Sequence, residues 1–108
     1  MKADTSSNCN RIHEIEKYFF SQGKSYLDKR FEDLKEIKNT LQDVKDTHRL
    51  EKIQKIGHKI KGSAGLYGFS ELSEIAFRLE TTAMSGDFAK LPNVVDEFQS
   101  FLNEAKSE

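Results

Sequence analysis

Cysteine and proline occur once each in the 108 residues. Cys9 alone cannot close an internal disulfide or build a thiolate metal cage, and a single unpaired thiol fits a reducing cytoplasm. No apolar run approaches the ~20 residues that a membrane span needs. Met1-Lys2-Ala3-Asp4 leads into serines and asparagines, not into the apolar core of a signal peptide, so no membrane association is expected. Charge of one sign is also missing: 17 basic and 18 acidic residues leave a formal net charge of -1. That excludes a basic field for a nucleic-acid backbone and a polybasic lipid anchor, so any partner must be recognised locally. Alternation of period two is absent too, which argues against β structure.

What is present is helical periodicity. Residues 1–9 are small, polar and aperiodic, and read as a flexible tail preceding one helical domain over residues 10–108. From Asn10, a potential N-cap, Ile12, Ile15 and Phe19 suggest a short amphipathic helix ending before Gly23. Leu27, Phe31, Leu34, Ile37, Leu41 and Val44 then trace one stripe of a long helix, and Asp46 or Thr47 can cap the next. Gly65 and Gly68 bracket the end of that second helix, and Ser70 is placed to cap a third. The third helix carries Leu72, Ile75, Ala76, Leu79 and Ala83 on one face and stops near Gly86. Pro92 fits the first turn of a last helix, buried along Val95, Phe98, Leu102 and Ala105. The expected fold is all-α, an antiparallel four-helix bundle with a short N-terminal covering helix, and the expected state is a monomer.

The stretch Gly57-His58-Lys59-Ile60-Lys61-Gly62-Ser63-Ala64-Gly65 stands out within this pattern. At about 100° per residue, Ile53, Ile56, Ile60, Ala64 and Tyr67 share one side of the helix, with Gly57 and Ser63 at its margins. His58 points the other way, toward water, on the face of Gln54, Lys55, Lys61, Gly62 and Gly65. Two glycines beside an exposed histidine cost the helix up to about 1 kcal/mol each, so something other than helix propensity placed them there. A solvated imidazole is largely neutral at pH 7, with an ordinary value of about 6.5, and a neutral ring is a nucleophile. Lys61, at i+3, offers a cation to negative charge gathered at His58. Gly62, at i+4, removes the side chain that would crowd its approach. A phosphoryl group delivered by a large partner satisfies all three features.

These residues resemble those of a known family, the histidine-containing phosphotransfer (HPt) domains of bacterial phosphorelays. The family pattern of a histidine followed at i+3 and i+4 by lysine and glycine stands here as His58-Lys59-Ile60-Lys61-Gly62-Ser63-Ala64-Gly65-Leu66-Tyr67-Gly68. The likeness extends to Asp46 upstream and to Leu72, Ala76, Leu79-Glu80 and Gly86-Asp87-Phe88 downstream. By that resemblance His58 is the phosphorylated residue, Lys61 its charge-stabilising partner and Gly62 the opening that admits a receiver. The partners it implies are response-regulator receiver domains, with a hybrid sensor histidine kinase as a further candidate. The family binds no nucleotide or other cofactor of its own; Mg²⁺ belongs to the receiver. The chain agrees in having neither a Walker A loop nor the glycine-rich loop of a kinase. Gly57 departs from the family, which often has alanine there, and is expected to loosen the helix before His58.

Elsewhere the plainer readings prevail. His13 and His48 lack a glycine-lysine context and read as solvated surface. No histidine-carboxylate set has metal-ligand spacing, so no metal site is expected. Phe77 lies off the main stripe, at the bundle edge or in an exposed apolar patch near the histidine. Gln54, Lys55, Lys59, Gly65 and Arg78 are candidates for a docking rim around His58. The alternative reading of the same face is a non-catalytic helical adaptor that docks a signalling partner without accepting phosphate.

Overall fold

A computed structural model of the protein describes the backbone of residues 2–107 and the side chains of residues 22–106. Among the described residues it forms four helices and no strand: α1 (Lys2–Gln42), α2 (Arg49–Leu66), α3 (Ser70–Ser85) and α4 (Leu91–Ser107). The architecture is the expected all-α four-helix bundle. None of the helices is long and apolar enough to cross a membrane.

The covering helix, however, is not a separate element. The expected break before Gly23 is absent, and α1 runs through it for 41 residues. A Cβ on Gly23 would stand 3.5 Å from the ring of Phe69, so this glycine admits a neighbouring side chain instead of ending a helix. The side chains of the tail expected at residues 1–9, the Asn10 cap, the Ile12, Ile15 and Phe19 stripe, Cys9 and His13 lie outside the described set. At its other end α1 stops at Gln42, and Val44, expected on the buried stripe, is 78% exposed.

Asp46 does not cap α2, which begins at Arg49 with His48 at the cap position. Its carboxylate accepts instead from the His48 backbone N–H at 2.8 Å and from Lys52 Nζ at 2.5 Å. Both contacts brace the turn between α1 and α2. The other boundaries follow local chemistry. Gly86 ends α3 in the left-handed region at φ 73°, where an L side chain would be strained. Pro92 sits in the first turn of α4, where its missing N–H goes unused.

The core is one cluster drawn from all four helices. Ile37 of α1, Ile53 and Ile60 of α2, Leu72 and Leu79 of α3, and Phe98 and Leu102 of α4 are fully buried. Each contributes roughly 1.5–3 kcal/mol of apolar burial. On the α1–α2 side, the Tyr26 hydroxyl meets Ser63 Oγ at 2.6 Å, and its ring stacks on Tyr67 with centroids 4.4 Å apart. Tyr67, expected inside, is 45% exposed and reaches the bundle through that stack.

The α2–α3 pair is the most closely packed at backbone level. Gly57 is buried, and a Cβ there would stand 3.0 Å from the Glu80 backbone nitrogen and 3.1 Å from the Ala76 carbonyl oxygen. One turn on, Ser73 Oγ donates to the Lys61 carbonyl at 2.9 Å and pins the two helices together. Gly57 therefore does not act by loosening α2, as its low helix propensity suggests; it allows α3 to approach.

Gly62 has nothing within 4 Å of a Cβ position. The two glycines should thus respond oppositely to alanine. Gly62→Ala is expected to raise stability by up to about 1 kcal/mol through helix propensity. Gly57→Ala should forfeit that gain, because backbone atoms of α3 must move to admit the methyl group. Thermal or urea unfolding of the two variants checks this; equal stabilisation by both would overturn the packing role of Gly57.

Candidate functional site

The site is built on the middle of α2 and completed by one residue of α3. The packing at Gly57 holds Ile53, Ile60 and Ala64 inward, and the helical repeat then turns His58 outward, its side chain 70% exposed. Lys61 follows one turn later with its side chain 34% exposed. Beside them the helix is bare: neither Gly62 nor Gly65 has an atom within 4 Å of where a Cβ would stand.

Glu80 of α3 ties these residues together. Among the described residues it is the buried charged one, 7% exposed. One carboxylate oxygen, Oε2, meets His58 Nδ1 at 2.6 Å, and the other, Oε1, accepts from Lys61 Nζ at 2.8 Å. The Lys61 ammonium, hydrogen-bonded to that oxygen, holds the Glu80 carboxyl below its usual range; desolvation opposes this and the His58 contact supports it. An ionised carboxylate can only accept, so the proton between the two side chains belongs to His58 Nδ1. In a neutral ring that leaves the lone pair on Nε2, so the contact selects the tautomer that is nucleophilic there.

Sequence reasoning placed Glu80 within the family resemblance and gave it no role. The signal was there: Glu80 lies four residues after Ala76 and three before Ala83, at the margin of the buried stripe of α3. An acid at such a position requires a partner from the neighbouring helix. Phe77, one turn before Glu80, is half exposed, and Lys61 Nζ stands 5.4 Å from its ring centroid. Its place is beside the histidine, as an exposed apolar surface.

The proposed rim divides. Gln54, half-buried, and Gly65, exposed, share the His58 face of α2. Lys55 and Lys59 line a shallow groove against α1, together with Asp33, Glu36, Lys52 and Ile56. Arg78 turns to the opposite side of α3, where it pairs with Glu97 of α4 at 2.5 Å. The structure thus brings His58, Lys61, Gly62 and Gly65 together with Glu80, and it leaves Arg78 apart from them.

The depressed Glu80 carboxyl has a consequence for stability. A carboxylate whose folded value lies below its ordinary 4.5 contributes fully above that value and loses its contribution as pH falls through the lower folded one. The stability advantage of the wild type over Glu80→Gln should therefore hold at neutral pH and be lost progressively on acidification below 4.5. Thermal unfolding of both proteins between pH 7 and pH 2 reads this directly; a gap that widens in acid would contradict the ion-pair geometry.

No curated protein and no solved structure matches the chain. Its residues 24–108 match the family model of the Hpt domain, a span that holds all of α2, α3 and α4 and every residue of the site. The chain therefore belongs to the Hpt domain family.

Proposed function

We propose that the protein is a phosphorelay intermediate in which His58 Nε2 accepts a phosphoryl group from the aspartyl phosphate of one receiver domain and passes it to another. The observation that carries this reading is the His58–Glu80 contact at 2.6 Å on a side chain that is 70% exposed. It supplies a nucleophile of fixed tautomer on an open face, and the chain matches a phosphotransfer family over that region.

In the transfer, the Nε2 lone pair forms the N–P bond while the acyl-phosphate O–P bond breaks, and the aspartate leaves as a carboxylate. Gly62 and Gly65 leave room for the receiver to bring its phosphate within bonding distance. Lys61, one turn from His58, offers a cation to the charge of about -1.5 to -2 that arrives. The remaining charge stabilisation comes from the receiver's own site, including its Mg²⁺, since phosphoryl transfer depends mainly on positioning and electrostatics. The domain is thus read as a phosphohistidine carrier with no ATP site or cofactor of its own, acting as a monomer in the cytoplasm. Gln54 on the same face, with Lys55 and Lys59 along the groove against α1, forms the polar rim that receivers meet in this reading.

Mixing the protein with phosphorylated receivers is expected to place an acid-labile phosphate on it. His58→Gln should lose all of that label, and Gly62→Glu should fold but take up little, because its side chain fills the approach. A His58→Gln variant that keeps the label would sink the proposal. A receiver complex formed equally well by wild type and His58→Gln, with no phosphate taken up by either, would favour the adaptor reading.

A further inference from the structure

Three residues of α3 hold three parts of Lys61. Ser73 Oγ donates to its backbone carbonyl at 2.9 Å, the ring centroid of Phe77 lies 5.4 Å from its Nζ, and Glu80 Oε1 accepts from that Nζ at 2.8 Å. Ser73, Phe77 and Glu80 stand at i, i+4 and i+7, so they share one face of α3. We infer that Phe77 is a positioning residue whose ring keeps the Lys61 ammonium beside His58, ready for the negative charge that arrives there. The inference rests on the proposed role of His58 and concerns what keeps its neighbouring cation in place.

Packing does not account for Phe77. Its side chain is 51% exposed and lies outside the buried core, whereas Ala76 and Leu79 of the same helix are inside it. A ring left half in water gains only part of what burial offers, but its open face can still attract a cation. Lys61 needs such a hold. Its ammonium ends a flexible four-carbon stem whose side chain is 34% exposed, so an unaided ammonium swings out of the site whenever the hydrogen bond to Glu80 opens.

The two holds differ in kind. The hydrogen bond to Glu80 is directional and uses one of the three N–H donors of Nζ. The ring attracts the positive charge through its face and sets no direction for those N–H groups. The ammonium can therefore turn its remaining donors toward a phosphoryl group on His58 while it stays over the ring. Neighbouring cations do not take its place: Lys55 and Lys59 line the groove against α1, and Arg78 pairs with Glu97 of α4.

Two variants separate the ring face from mere apolar bulk. Phe77→Leu keeps an apolar side chain and removes the π face, whereas Phe77→Trp keeps that face and strengthens it. Carbon NMR relaxation at Lys61 Cε in the unphosphorylated domain should show order lost in Phe77→Leu and kept in Phe77→Trp. Phosphoramidate, a small phosphoryl donor, then loads His58 without a receiver: Nε2 forms its bond to phosphorus as the P–N bond breaks and ammonia leaves. Phe77→Leu should load roughly two- to fivefold more slowly than wild type, the range of an exposed cation–π contact, and Phe77→Trp at least as fast as wild type. In a Lys61→Met background, Phe77→Leu should change nothing, because the ring acts through the lysine.

Unchanged order at Lys61 in Phe77→Leu would overturn the inference. So would an equal loss of loading in the Lys61→Met background, which would mean that the ring acts without the lysine. A loss seen with phosphorylated receivers and absent with phosphoramidate would overturn it too, since Phe77 would then be a docking residue. Failure of His58 to take label from any donor would remove the proposed function, and the relaxation at Lys61 would still decide whether the ring holds the lysine.

Discussion

The approach of α3 to α2 at Gly57 is the constraint on which the site depends. A side chain there would meet the backbone of Ala76 and Glu80 at 3.0 to 3.3 Å, so hydrogen at that position sets how near the two helices lie. Glu80 is carried on the α3 turn that this contact admits. Its carboxylate has a short reach, and a displacement of α3 by an ångström would exchange the hydrogen bond to His58 for a water-filled gap. The contact between His58 and Glu80 thus rests on a backbone approach at the residue before the histidine.

The same contact divides α2 into two faces with opposite demands. Inward, Ile53, Ile60 and Ala64 are packed against the core, which fixes the rotation of the helix. Outward, Gly62 and Gly65 leave its surface bare. Bare helix is unfavourable in isolation, yet tertiary packing on the inner face supplies most of a helix's stability and tolerates it. Rigidity and access are therefore compatible here because they lie on opposite sides of one helix.

Much of this was legible in the sequence, and the exceptions have physical reasons. The apolar stripes located the bundle helices, and the His58, Lys61 and Gly62 spacing located the exposed face, because both depend on local periodicity. Gly23 was misread as a stop: glycine ends a helix when its backbone turns left-handed, as at Gly86, but inside a packed helix it can equally admit a ring such as Phe69. Gly57 was misread for the same reason, since which helix lies against it is a tertiary fact. The pairing of Glu80 with residues 22 and 19 positions earlier is tertiary as well; the sequence showed only an acid at the edge of an apolar stripe. The pairing of Arg78 with Glu97 of α4 is likewise invisible to periodicity.

Charge counting on this face explains why such a domain would hand its phosphate on. In the resting site, Lys61 offsets the charge of Glu80. A phosphoryl group adds about -1.5 to -2, and one lysine cannot balance both it and Glu80. If the ring remains protonated at Nδ1, part of the deficit is met by the imidazolium, but that form is also the one from which phosphoryl leaves with least resistance. On the proposed reading the phosphorylated face would carry more negative charge than its own cations offset. Relief lies in a partner that brings cations, which on the proposed reading is the receiver that Gly62 and Gly65 leave room to admit.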